Sequence, residues 1–196
     1  MSAFHALEPG EALVLASASP RRRELLTQAG IPFVCHPADI DESAVRAETP
    51  EALVQRLASL KSHAITRELG TRQLILGADT VVALENRVFG KPATMEEAVE
   101  MLHSLSGRTH TVITGIALRR GDQCLTRVCT TLVTFKKLSD KAIAHYYSLV
   151  NPLDKAGGYA IQEHGELIID HISGSRTNVI GLPVEMVKEL VFPAST

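Results

Sequence analysis

The segment Ser17-Ala18-Ser19-Pro20-Arg21-Arg22-Arg23 gathers two hydroxyls and three guanidiniums directly after the apolar run Leu13-Val14-Leu15-Ala16. An apolar run ending in small residues reads as a buried strand. Ser19 followed by Pro20 reads as an N-cap with proline at the first helical position. Backbone N–H groups and the positive end of a helix dipole therefore join the hydroxyls and guanidiniums. That combination suits a multiply charged anion, phosphate above all. A solvated basic first turn is the plainer alternative. It ranks lower because cations oppose the positive end of a helix dipole.

Three further residues break their own pattern. Asp79 interrupts Leu74-Ile75-Leu76-Gly77-Ala78-Asp79-Thr80-Val81-Val82. A buried, unpaired carboxylate is costly, so Asp79 is either a turn residue after Gly77 or a general base or metal ligand. The second reading is favoured, because Gly77-Ala78 keeps bulk away and lets something approach. Lys61 follows Leu53 and Leu57 and precedes Ala64 and Ile65, which puts it on the apolar stripe of a helix. A snorkelling lysine fits that position equally well. Lys91 lies in Phe89-Gly90-Lys91-Pro92, fixed by its neighbours; Pro92 stands where a P-loop needs Ser or Thr. Asp154-Lys155-Ala156-Gly157-Gly158-Tyr159-Ala160-Ile161-Gln162 has the composition of a binding loop, and Asp154–Lys155 reads equally as a local ion pair. Gln162 offers donor and acceptor to a planar partner. The eight histidines show no metal-ligand spacing, and neither a nucleophile elbow nor a dinucleotide fingerprint occurs.

Alternating strands and helices must position these residues. A strand near residues 32–37 and an acidic loop with Asp39, Asp41 and Glu42 follow the first helix. A long helix starts at Thr49-Pro50 and runs to Leu69, stopped by Gly70. Residues 73–84 form an apolar strand, turning at Glu85-Asn86 into Arg87-Val88-Phe89. A capping box at Thr94-Met95-Glu96-Glu97 opens a helix that ends at Gly107. Strands over residues 109–119 and 124–136 flank the turn Arg120-Gly121-Asp122, which a hairpin explains better than an adhesion motif. Ser139 caps a helix to about Val150. A loop over residues 151–165, a strand near residues 166–172, a loop over residues 174–181 and a helix from Pro183 complete a mixed α/β chain.

Composition narrows the possibilities. A chain of 196 residues, 45% hydrophobic, supports one sizeable core. A formal net charge of -2 argues against broad nucleic-acid or membrane-surface binding. Aromatic content of 4% argues against a base-stacking platform. Cys35, Cys124 and Cys129, odd in number and without a C-x-x-C pair, suit free thiols in a reducing cytoplasm. The first residues carry acids and Pro9 rather than a signal peptide's basic start, and no apolar stretch reaches spanning length.

In order along the chain, Ser17-Ala18-Ser19-Pro20-Arg21-Arg22, Gly77-Ala78-Asp79-Thr80, Gly90-Lys91-Pro92, Asp154-Lys155-Ala156-Gly157 with Tyr159-Ala160-Ile161-Gln162, and Gly174-Ser175 with Asn178-Val179-Ile180-Gly181-Leu182-Pro183 resemble the Maf family of nucleotide pyrophosphatases. The resemblance covers residues 13–187. It implies a single domain over residues 1–196 with an α/β fold: a mixed twisted sheet flanked by helices, elongated and two-lobed like inosine-triphosphate pyrophosphatases. It implies hydrolysis of a nucleoside triphosphate to monophosphate and pyrophosphate with a divalent metal, Mg2+ or Mn2+, in a cytoplasmic homodimer. The family acid falls on Asp79 and its metal-site partner on Glu42. The phosphate-side residues fall on Ser17, Ser19, Arg22, Lys61 and Lys91. Ala160 and Glu163 depart from the glycines common beside the loop glutamine. The reading of the residues agrees: a triphosphate carries about four negative charges, which Arg22, Lys61, Lys91 and a metal would neutralise while Asp79 prepares water.

The resemblance also separates two branches. The dTTP and UTP hydrolases carry Arg, Thr and Gln, which are Arg21, Thr80 and Gln162 here; the 7-methyl-GTP branch carries Trp, Gln and Glu. A methylated guanine is cationic and suits an indole face and a carboxylate. A neutral pyrimidine presents O4 and N3–H, which Gln162 can match. The expectation is a dTTP/UTP pyrophosphatase of the nucleotide pool, with the family's association with septum formation alongside. Competing readings are a 7-methyl-GTP pyrophosphatase, a non-catalytic regulator of septum formation, and a nucleic-acid binder using Arg21–Arg23.

Overall fold

The structure is a computed structural model that describes residues 4–45, 47, 49–70, 72–85 and 87–193. In chain order its elements are β1 (Leu13–Leu15), α1 (Pro20–Gln28), β2 (Phe33–Cys35), α2 (Pro50–Leu69), β3 (Ile75–Leu84), β4 (Arg87–Phe89), α3 (Met95–Leu105), β5 (Thr109–Arg120), β6 (Gln123–Phe135), α4 (Asp140–Leu149), β7 (Ile169–Ser173), α5 (Arg176–Ile180) and α6 (Val184–Val191). The strands form one mixed sheet in the order β2-β1-β3-β5-β6-β7, with β4 on β3. β1 pairs parallel with β2 and β3, and β4 and β7 pair antiparallel with β3 and β6.

Helix starts follow the local chemistry of the chain. Ser19, Thr49, Thr94 and Ser139 each cap a helix, accepting from the backbone N–H three residues on. Pro20 and Pro50 occupy first-turn positions, where a missing N–H costs nothing. The capping box is altered: the Glu97 carboxylate accepts from the Ala93 N–H at 2.6 Å, one residue before the cap. The expected loop over residues 174–181 contains α5. Ser175 Oγ accepts from the Asn178 N–H at 3.1 Å and nucleates that single turn, too short for a helical period to show. Of the turn expected at Glu85-Asn86, Glu85 has φ 55° and Asn86 lies outside the described residues.

The chain divides into two compact units. The first comprises residues 1–79, 114–129 and 181–196; the second comprises residues 80–113 and 130–180. In the first, α2 lies against β3 and β5 at two glycines. A Cβ on Gly77 would stand 2.1 Å from the Ala58 carbonyl oxygen, and one on Gly115 would stand 2.5 Å from that of Val54. Backbone approaches backbone there because no side chain intervenes. In the second unit, Val82, Phe89, Leu102, Phe135, Tyr146 and Tyr159 belong to one buried cluster.

Candidate active site

The first unit gathers most of the chemistry-bearing side chains. Asp79 is 7% exposed and lies within the unbroken strand β3, so it is not a turn residue. What Gly77 admits is the backbone of α2, and the consequence is local. With Ala58 and Ser62 drawn onto Gly77, Lys61 between them donates from Nζ to Asp79 Oδ1 at 2.7 Å. Glu42, in a 3-10 turn at residues 42–44 capped by Asp41, places Oε1 2.8 Å from the same Nζ. Lys61 is 9% exposed and Glu42 about half exposed, so the ammonium is buried on the Asp79 side and open to water on the Glu42 side. It does not snorkel; two carboxylates hold it in place.

Arg22 supplies the second cation of this unit. It is buried, donating from Nε to the Gly181 carbonyl at 2.8 Å and from Nη1 to Ser17 Oγ at 3.0 Å and the Ala78 carbonyl at 2.8 Å. One guanidinium thus ties the β1–α1 connection, the strand bearing Asp79 and the segment before α6. Burial pushes its pKa down, opposed by attraction to Asp79; arginine nonetheless stays protonated. Ser17 Oγ also accepts from the Ser19 N–H at 3.3 Å, and Ser19 Oγ accepts from the Arg22 N–H. The expected convergence of three guanidiniums is corrected here. Arg22 turns inward, Arg21 is half-buried and Arg23 is exposed, as the 100° step between neighbouring helix residues requires.

Thr80, Lys91 and Gln162 belong to the second unit, where Thr80 is half-buried and Lys91 and Gln162 are exposed. The Gly157 N–H donates to the Gly90 carbonyl at 2.9 Å, so the glycine pair is fastened to the residue before Lys91. Gly157 has φ 71°, and a Cβ there would lie 2.9 Å from Val82 Cγ2, so glycine is required twice over. Sequence reasoning underrated Lys155, which is 5% exposed. It is paired with Asp154 at 2.8 Å and with Glu163 at 3.2 Å. The adjacent Asp154 was a visible signal; Glu163 was not, because the contact depends on how the loop returns.

Two carboxylates thus meet one cation in the unit that also holds a buried guanidinium and the hydroxyls of a strand-to-helix turn, residue types whose chemistry suits phosphate oxygens and hard cations. Among the described residues no three His, Cys, Asp or Glu side chains gather as a metal cluster; Asp79 and Glu42 are the two carboxylates that share Lys61. Residues 12–192 match the family model described as Maf-like protein. The chain belongs to the Maf-like family. This Maf-like chain is 50% identical to a protein from Moorella thermoacetica over 91% of its own length and 93% of the relative's. It is 47% identical to one from Symbiobacterium thermophilum over 94% and 96%. It is 41% identical to one from Bacillus cereus over 97% and 95%. Each of the three is named dTTP/UTP pyrophosphatase. A solved structure, the nucleoside-triphosphatase / dITP/XTP pyrophosphatase of Mycobacterium abscessus, is similar over 63% of this chain and 72% of that one. Its identity is 12% and its TM-score 0.42.

Proposed function

We propose that this Maf-like protein hydrolyses dTTP and UTP to the monophosphate and pyrophosphate. The observation that carries the reading is the buried Lys61 ammonium held between Asp79 and Glu42, in the unit that also holds Ser17 and Arg22. The relatives' names supply the substrate class. Lys61 binds Asp79 through Oδ1, which leaves Oδ2 to accept the proton of the attacking water. Lys61 also sets positive charge beside the phosphoryl group under attack. Arg22, with Nε and Nη1 committed to protein oxygens, fixes the strand of Asp79 and the Ser17 hydroxyl more than it grips phosphate directly. Lys91, exposed, would supply a cation to the leaving pyrophosphate.

Asp79 and Glu42 fit a divalent cation, Mg2+ or Mn2+. Each pairs with Lys61 through one oxygen, Oδ1 of Asp79 and Oε1 of Glu42, and hard carboxylate donors combined with substrate phosphates are the ligands such ions take. When bound, the ion supplies charge neutralisation on the triphosphate. On the base side, Arg21, Thr80 and Gln162 read a neutral pyrimidine, with the Gln162 carboxamide matched to O4 and N3–H.

The test is a nucleotide panel with magnesium or manganese, scored for pyrophosphate and orthophosphate. Pyrophosphate from dTTP and UTP is expected. Orthophosphate as first product would overturn the reaction class, and equal or faster turnover of 7-methyl-GTP would overturn the base preference. The double variant Arg21→Trp/Gln162→Glu is expected to raise the kcat/KM ratio of 7-methyl-GTP over UTP.

A further inference from the structure

Lys155 does no work in the reaction just described, yet it is among the most buried charges of the second unit. Three oxygens surround its ammonium: it donates to the Asn151 carbonyl and to Asp154 Oδ1, each at 2.8 Å, and Glu163 Oε1 stands 3.2 Å away as an ion pair. Two of these lie at the start of the loop over residues 151–165. The third lies near its end, immediately after Gln162. The Lys155 backbone is fastened as well, its N–H donating to the Pro152 carbonyl and its carbonyl accepting from the Gly158 N–H, both at 3.0 Å. Next along the chain, Gly157 is bonded to Gly90, beside Lys91.

The rest of the loop is held from within. Tyr146 OH donates to the Ala160 carbonyl at 3.2 Å and accepts from the Ala160 N–H at 3.0 Å. Tyr147 OH approaches the Gly158 carbonyl at 3.0 Å. These anchors stop at Ile161, which is buried. At Gln162 the chain emerges to solvent, and the next contact that fixes it is Glu163 on Lys155. Glu163 is 45% exposed, so its carboxylate is not needed to fill the core.

We infer that Lys155 and Glu163 form an ionic clasp that sets the orientation of Gln162 for reading the base, making Glu163 a positioning residue for substrate selectivity. The inference rests on the reading of Gln162 as the base-reading side chain. A carboxamide discriminates only if its donor and acceptor are held in a fixed sense, because a freely turning amide offers either edge to either base. UTP and CTP test this directly: they share sugar and triphosphate, and differ in that O4 and N3–H of one become N4–H2 and N3 of the other. Removing Glu163 frees the loop at the residue after Gln162, while Asp154 still neutralises the buried ammonium.

The experiment measures kcat and KM for UTP and CTP with magnesium in the native protein and in Glu163→Ala, Glu163→Gln, Gln162→Ala and the double Gln162→Ala/Glu163→Ala variants, with thermal melting of each. In Glu163→Ala the UTP/CTP ratio of kcat/KM is expected to fall about tenfold, mostly through KM for UTP. Glu163→Gln, which keeps the oxygen acceptor, is expected to recover part of it. In the Gln162→Ala background the Glu163 substitution is expected to change the ratio no further, as coupling requires. A ratio lost in Gln162→Ala but intact in both Glu163 variants would overturn the clasp alone. A ratio intact in Gln162→Ala would overturn the base-reading assignment, and the clasp's purpose with it. Should Glu163→Ala not fold, the Glu163→Gln ratio decides, and a native value there also overturns the clasp's charge requirement.

Discussion

Replacing Lys61 by Met separates what the Asp79–Lys61–Glu42 arrangement does for stability from what it does for chemistry. Met keeps the volume and removes the charge. Asp79, 7% exposed, then loses its ion-pair partner and keeps only the attraction of Arg22, whereas Glu42, half exposed, is simply hydrated. Breaking a buried pair by removing one partner costs about 3–5 kcal/mol, because the remaining charge is stranded. For a chain of this length each kcal/mol moves the melting midpoint by about 2–4 °C, so a fall of roughly 6–20 °C is expected. Adding Asp79→Asn removes the stranded charge, and stability should return to within about 2 kcal/mol of native. Activity should not return. Asp79→Asn alone, the double variant and Lys61→Met should each lose pyrophosphate release by about 10²–10⁴-fold. The assays are thermal melting and pyrophosphate release from dTTP with magnesium. If Lys61→Met melts with the native protein, the pair is not desolvated and the argument from burial fails. If the double variant regains turnover, Asp79 is structural.

Two other outcomes follow from the packing. Burial pushes His110 down to about 4 from an ordinary value of 6.5; Nε2 meets Tyr159 OH at 2.7 Å and Nδ1 has no partner. The unfolded chain therefore binds a proton that the folded chain refuses. Stability is full above about pH 6.5 and falls as pH drops toward 4, by about 2–4 kcal/mol from this group. Denaturant titrations from pH 8 to 4 should show that slope in the native protein and a shallower one in His110→Gln; equal slopes would remove His110 as the source. Gly77→Ala should cost about 1–3 kcal/mol or more by driving a Cβ against the Ala58 carbonyl. It should also lower pyrophosphate release by moving Lys61 relative to Asp79; native turnover in a folded variant would show that the close approach of α2 is not what aligns them.

Element types and ends were written locally. Ser19-Pro20, Thr49-Pro50, Thr94 and Ser139 each carry their own capping chemistry, and the helices begin where those residues stand. Asp79 and Lys61 could be singled out because each violates the hydropathy of its own element, a property visible without neighbours. Their partners could not be derived from the pattern. Lys61 and Asp79 lie eighteen residues apart on a helix and a strand, and it is the missing side chain of Gly77 that lets these elements touch. Arg22, Arg21 and Arg23 are chemically alike in sequence; only the turn of α1 against Ser17, Ala78 and Gly181 decides which of them is buried. Lys155 read as one half of a local ion pair with Asp154, because burial is a property of the folded loop, set by Tyr146, Tyr147 and the return of Glu163. Short-range order follows from hydrogen bonds and caps between near neighbours, whereas a charge's environment depends on which distant backbone the chain can approach.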